Sequence, residues 1–182
     1  MMIRKALIPD VLPAPRTTRD MIEITFTVAG KQIPQGSKLP QAIYDRNGRP
    51  VMKNGRAIVV CRDDNPNLQS WRGAIADAAR RAYGQALMTG AIYMENHFWM
   101  PRPKGHFGTG RNANRLKDDA PQFMMQKPDD DKLTRAIADA LTGVVWRDDS
   151  QICRRLISKS WGDCYRTEIT IVSLDGLTEE PF

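Results

Sequence analysis

Between Leu68 and Tyr83 the apolar residues recur at helical spacing, at Leu68, Trp71, Ile75, Ala78, Ala79 and Ala82. The runs on either side repeat every second residue instead. A period of two does not suit a helix and a period of 3.6 does not suit a strand, so this change of period orders the elements. Upstream, residues 21–28 alternate Ile22, Ile24, Phe26 and Val28 against Met21, Glu23, Thr25 and Thr27, which predicts a half-buried strand. Downstream, residues 91–100 alternate with Ile92, Met94 and Phe98 on one face, and further strands are expected over 152–159 and 164–174. A second helical run covers 131–141, with Leu133, Ala136, Ile137, Ala140 and Leu141 on one side. Gly84 and Gly143 stop the two helices. Asn47-Gly48 and Asn54-Gly55 predict one or two small hairpins before the first helix.

These elements amount to a single small α/β (α+β) domain over residues 21–174, a mixed sheet of about four or five strands with two helices packed on it. Residues 1–20, rich in Pro, Arg and Thr, are expected to be a flexible arm, and 175–182 an acidic tail. The Gly-, Asn- and Pro-rich stretch 101–126 reads as a long mobile basic loop, and long loops in compact domains are often functional.

Composition narrows the function classes. The 182 residues carry 27 Lys and Arg against 21 Asp and Glu, a net charge of +6 that favours a polyanionic partner. Hydrophobic residues at 41% are too many for a disordered chain. Cys61, Cys153 and Cys164 are odd in number and lack metal or redox spacing, so they read as reduced thiols of a cytosolic protein. No apolar run is long enough for a membrane span, and the first residues lack the apolar core of a signal peptide. No Gly-rich phosphate loop supports nucleotide-cofactor chemistry. His97 and His106 have no partner at ligand spacing, which argues against a zinc or histidine nuclease site. Trp71, Trp99, Trp146 and Trp161 are read as core, with a dimer contact or a junction wedge as alternatives for the last three.

Against the positive background, eight Asp residues fall between Asp118 and Asp149, with none of the other acidic type among them. Asp129 and Asp131, two apart in an extended segment, would point the same way. Asp149 joins them only if the chain folds back along the second helix. Eleven helical residues measure about 16 Å, and residues 144–149 are long enough to cover much of that. Carboxylates gathered in this way suit Mg²⁺, a hard cation that takes oxygen ligands and activates water against a phosphodiester. The plainer alternative stays open: Asp130 or Asp131 as an ordinary helix cap, and Asp148-Asp149-Ser150 as a turn.

The run Lys127-Pro128-Asp129-Asp130-Asp131-Lys132-Leu133, followed by Asp139-Ala140-Leu141 and closed by Asp148-Asp149-Ser150-Gln151-Ile152, resembles the signature of the RusA family of Holliday junction resolvases. The resemblance implies a homodimeric endodeoxyribonuclease that depends on Mg²⁺, with Mn²⁺ as a substitute, and cuts four-way DNA junctions by paired nicks in recombination and repair. Its setting would be the cytoplasm of a bacterial or phage-infected cell. Carried over position by position, the family's metal-binding aspartates fall on Asp129, Asp131 and Asp149, and its catalytic lysine falls on Arg135. Arg135 keeps the positive charge and cannot act as a proton donor as a lysine can. Lys132 stands where the family has asparagine. Asp139 is expected to pair with Arg135 along the helix, and Asp148 to serve as a turn residue.

Arg102, Lys104, Arg111, Arg115, Lys117, Lys127 and Lys132 lie close to the acidic run in sequence and are candidates for phosphate contacts, with a solvated loop as the alternative. Arg72, Arg80 and Arg81 read as a solvent face. Two rival functions remain: a nuclease for other branched DNA, and a junction-binding protein with little catalysis.

Overall fold

The alternating run at residues 22–29 forms β1 (Glu23–Ala29), with Ile24, Phe26 and Val28 buried and the residues between them exposed. In all, the structure, a computed structural model, describes residues 22–36, 38–63 and 65–175. The arm expected over 1–20 and the tail beyond Asp175 lie outside the described residues.

The hairpin region forms as its turn residues dictate. β2 (Lys38–Ala42) pairs antiparallel with β5 (Val59–Asp63), and between them β3 (Met52–Lys53) pairs with β4 (Arg56–Ala57). Asn54 and Gly55 join β3 to β4 with φ of 52° and 77°, the double positive φ of a tight hairpin turn. Next comes α1 (Leu68–Tyr83), with the bounds its periodicity predicts, closed by Gly84 in the left-handed conformation.

Four longer strands build the main sheet: β1, β6 (Ile92–Pro101), β7 (Ile152–Gly162) and β8 (Arg166–Ser173), in the order β1-β8-β6-β7. β8 pairs antiparallel with both β1 and β6, whereas β6 and β7 run parallel. A parallel pair needs a crossover, and α2 (Asp130–Leu141) provides it. β7 continues three residues past the expected 159, so Trp161 lies in register with Met100, and the last strand starts at Arg166 and not at 164.

Both helices pack on one face of this sheet. Leu68, Ile75 and Ala79 of α1 meet Leu133, Ile137 and Leu141 of α2 over Met94, Phe98, Ile169 and Ile171, all fully buried or nearly so. Trp71 and Trp146 belong to this core. Trp99 does not: it lies on the opposite face, stacked on His97 with centroids 4.2 Å apart, and the Arg166 guanidinium stands 4.4 Å from its ring. Strand parity explains the difference, because Trp99 falls between the buried Phe98 and Met100. Among the described residues no helix is long and apolar enough to cross a membrane.

The chain between α2 and β7 is locked by one side chain. Gln151 Oε1 accepts the N–H of Arg147 at 3.0 Å and of Asp148 at 3.1 Å, and its Nε2 donates to Met88 O at 2.9 Å and Gly90 O at 3.0 Å. Apolar replacement leaves these backbone groups without protein partners. Gln151→Ala is therefore expected to destabilise the fold by about 2–3 kcal/mol in urea unfolding, and a loss below about 1 kcal/mol would mean that water replaces the clamp.

Candidate active site along the crossover helix

The acidic run opens α2. Asp129 is its N-cap residue, in extended conformation, yet its carboxylate makes no capping hydrogen bond and pairs instead with Lys132 at 3.1 Å. Asp130 accepts the N–H of Asp131 at 3.0 Å, and both fall in the first helical turn, where the positive helix end favours negative charge. The sequence reading placed Asp129 and Asp131 on an extended segment, alternating onto one side. The helix begins too early for that. Asp131 already lies on the helix and turns towards β7, while Asp129 stays with Lys132.

Between α2 and β7 runs an open trough of about 180 Å³, lined by Asp131, Thr134, Arg135 and Ala138 from the helix, Arg155 and Ile157 from the strand, and Asp149. Helix and strand run in opposite directions here, because α2 is the return path between two parallel strands. The start of α2 is consequently level with the end of β7. Lys159 records this directly, since its Nζ donates to Pro128 O at 3.0 Å and to Gln126 O at 3.1 Å. Ile152, at the other end of β7, is seven residues away, about 23 Å at 3.3 Å per residue. Asp149, just before Ile152 in the chain, lines the same trough as Asp131.

Of the three aspartates expected to converge, Asp131 and Asp149 line one trough of the same chain, and Asp129 pairs with Lys132 at the helix start. Residues 144–149 follow the helix. They pass beneath its C-terminal end, where Val145 and Trp146 are buried and Val145 O accepts the N–H of Met88 at 2.7 Å. Among the described residues no group of three His, Cys, Asp or Glu side chains is placed to hold a metal ion. The donor chemistry still suits a hard cation. Asp129 and Asp131 present carboxylate oxygens only, and one or two carboxylates with water and phosphate are a common Mg²⁺ set. Asp149, on the same trough as Asp131, is the third carboxylate of the set expected from the sequence.

Other side chains differ from their sequence-based roles. Asp139 pairs with Arg72 of α1 and not with Arg135, so Arg72 is an interhelical contact and Arg135 is left facing the trough. Asp148 caps the short turn Asp149–Gln151 by accepting the Ser150 N–H at 2.9 Å, and these hydrogen bonds from Ser150 hold its carboxyl below the usual carboxylate range. The 101–126 stretch is tied to itself. It contains two short helical turns, Lys104–His106 and Gly110–Asn112, and a bridge from Phe107 to Leu116. Two of its cations hold it together: Lys117 donates to Gly105 O, and Arg102 donates to Pro121 O while lying over the Trp161 ring. Lys104, Arg111, Arg115 and Lys127 are exposed.

Two residues of β7 were missed in the sequence reading: Arg155, across the trough from α2, and Lys159, which pins the loop ahead of Asp129. Their signal was present in the parity of the strand, since Arg155, Ile157, Lys159 and Trp161 share the face turned to the helices.

Comparison with known proteins identifies the family. The family model described as Endodeoxyribonuclease RusA matches residues 47–172, a span that takes in both helices, β6, β7 and all but the last residue of β8. A Bacillus subtilis (strain 168) protein, named Uncharacterized protein YqaN, is 26% identical over 151 residues, covering 81% of this chain and 94% of that protein. With a match over most of its length, and with the acidic trough inside the matched span, the chain belongs to the RusA endodeoxyribonuclease family.

Proposed function

We propose that this protein is a Mg²⁺-dependent endonuclease that resolves four-way DNA junctions by paired, symmetric nicks, and that it works as a homodimer. The observation that supports this most is the trough itself: in a chain of this family, two carboxylates, Asp131 and Asp149, line one groove together with two guanidinium groups, Arg135 and Arg155. Neither arginine has an ion-pair partner among the described residues, so both are available to phosphate.

Asp129, Asp131 and Asp149 are the residues that would hold the metal. A bound Mg²⁺, or Mn²⁺ in its place, would supply charge neutralisation at the scissile phosphate and activation of a water. Lys132 is displaced from Asp129 when the site is loaded and becomes a phosphate contact. Arg135 and Arg155 approach the phosphate from helix and strand, orient it and stabilise the charge that grows on its oxygens. A guanidinium does not give up its proton near neutral pH, so Arg135 serves by charge and geometry alone. Lys104, Arg111, Arg115 and Lys127 follow the flanking backbone.

A four-way junction has approximate two-fold symmetry, and an isologous dimer carries two equivalent sites on opposed strands.

With Mg²⁺ the protein is expected to nick a mobile four-way junction in preference to a flap or a linear duplex, and Asp129→Asn to abolish nicking while leaving junction binding intact. A parent protein that binds junctions and never nicks them would sink the enzyme reading. Asp149→Asn is likewise expected to abolish nicking while leaving junction binding intact, and a variant that cuts as fast as the parent would remove Asp149 from the site. Arg155→Ala is expected to weaken junction binding and to lower the salt slope of log K by about one, as Arg135→Ala does, and an unchanged slope would remove Arg155 from the interface.

A further inference from the structure

A second hollow, of about 200 Å³, opens beside the active end of the trough. Trp161 and Tyr165 give it aromatic walls, Met124 an apolar one, Gln32 a polar one, and Lys31 and Lys127 stand among its lining residues. It is smaller than the roughly 300–1,000 Å³ of pockets that take drug-sized ligands, and its size fits one ring system.

Two polar atoms in these walls lack partners. Gln32 is only 2% exposed, and its Nε2 donates to Trp99 O at 3.1 Å and Arg166 O at 2.7 Å, while its Oε1 is buried without a partner. Trp161 Nε1 is likewise buried without a partner. The hollow therefore combines flat apolar surface with cations close by, and one unused acceptor and one unused donor lie buried within the residues of its walls. An apolar group would leave the two polar atoms unsatisfied, and a bare phosphate would gain nothing from the aromatic walls.

The location is equally specific. Gln126, Lys127 and Pro128 line this hollow, and the chain then enters Asp129 and Asp131. Pro128 and Asp131 are three residues apart, at most about 11 Å at 3.8 Å per step. That is roughly three nucleotides at 3.4 Å per stacked step along a strand.

We infer that this hollow takes a single unstacked nucleobase of the bound DNA, within about three nucleotides of the cut phosphate. The base packs against Tyr165 and Trp161, its donor–acceptor edge meets Gln32 and the Trp161 indole, and Lys31 and Lys127 hold the adjoining phosphates. The inference rests on the nuclease reading and adds to it a source of local sequence preference. Unpaired bases are cheapest at a branch point, so such a pocket also favours branched over continuous duplex.

The test needs no catalysis. Binding of a thymidine octanucleotide is compared with that of the same backbone bearing abasic residues, by intrinsic fluorescence without metal. The parent protein is expected to prefer the octanucleotide about 10-fold, the scale of one base–aromatic stack. Tyr165→Ser should bind both alike, and Tyr165→Phe, which keeps the ring, should restore the preference and exclude a fold defect. In the Mg²⁺ reaction, an abasic residue scanned along the junction strand should depress cleavage by the parent at one position only. Equal binding of intact and abasic DNA by the parent overturns the pocket, whether or not junctions are cut. Base-dependent binding without any nicking overturns the nuclease reading and leaves the pocket standing.

Discussion

The parallel pairing of β6 with β7 governs the rest of the molecule. Two parallel neighbours cannot be joined by a tight turn, so the chain must leave the end of β6, travel back the length of the sheet and re-enter beside its start. α2 makes that journey. Its N-terminal end is therefore beside the end of β7, and its C-terminal end beside the start. What α2 turns towards β7 is laid out along a trough, and Asp131 from the start of the helix and Asp149 from the segment after it line that same trough.

Each end of β7 is held by a polar side chain that bonds backbone. At the start, Gln151 ties Arg147 and Asp148 to the carbonyls of Met88 and Gly90. At the far end, Lys159 holds the carbonyls of Gln126 and Pro128. Irregular segments next to a sheet leave carbonyl and amide groups that neither helix nor ladder can satisfy, and leaving such groups unpaired is costly. These two residues meet that need at the points where the acidic residues are delivered, so the placement of Asp149 depends on Gln151 and that of Asp129 on Lys159.

Much of the architecture could be read from period alone. The bounds of α1, the burial of Ile24, Phe26 and Val28 in β1 and the two Asn-Gly turns agree with the structure because each is decided by neighbours within a few residues, whereas Ile22, expected on the same face, lies before the strand and is exposed. What escaped the sequence was non-local. Asp139 has Arg135 one turn away and pairs with Arg72 of another helix, a choice that only the packing of α1 on α2 can make. Trp99 reads as a core residue by composition, and strand parity turns it outward. Asp129 and Asp131 look like alternate residues of an extended segment until the helix is seen to begin at Asp130, since helix starts are marked weakly when the capping side chain makes no capping bond. The trough's own cation, Arg155, was overlooked because β7 is an edge strand with polar residues on both faces, and its parity carries little hydrophobic signal.

The substitution of arginine for lysine at position 135 fits this geometry. A lysine on α2 is a compact charge that can approach one phosphate oxygen and, if its pKa is depressed, exchange a proton. Arg135 faces a trough whose opposite wall already carries Arg155, and two cations across a narrow groove favour groups that cannot lose charge and that bind through planar, directional donors. Two guanidinium groups can take different oxygens of one phosphate, each by a paired hydrogen bond, where two ammonium groups compete for the same hydration. In the proposed reaction, proton transfer would fall to water and carboxylate. The arginines would set where the phosphate lies, and the wall of β7 would contribute to that placement as much as the helix that carries the motif.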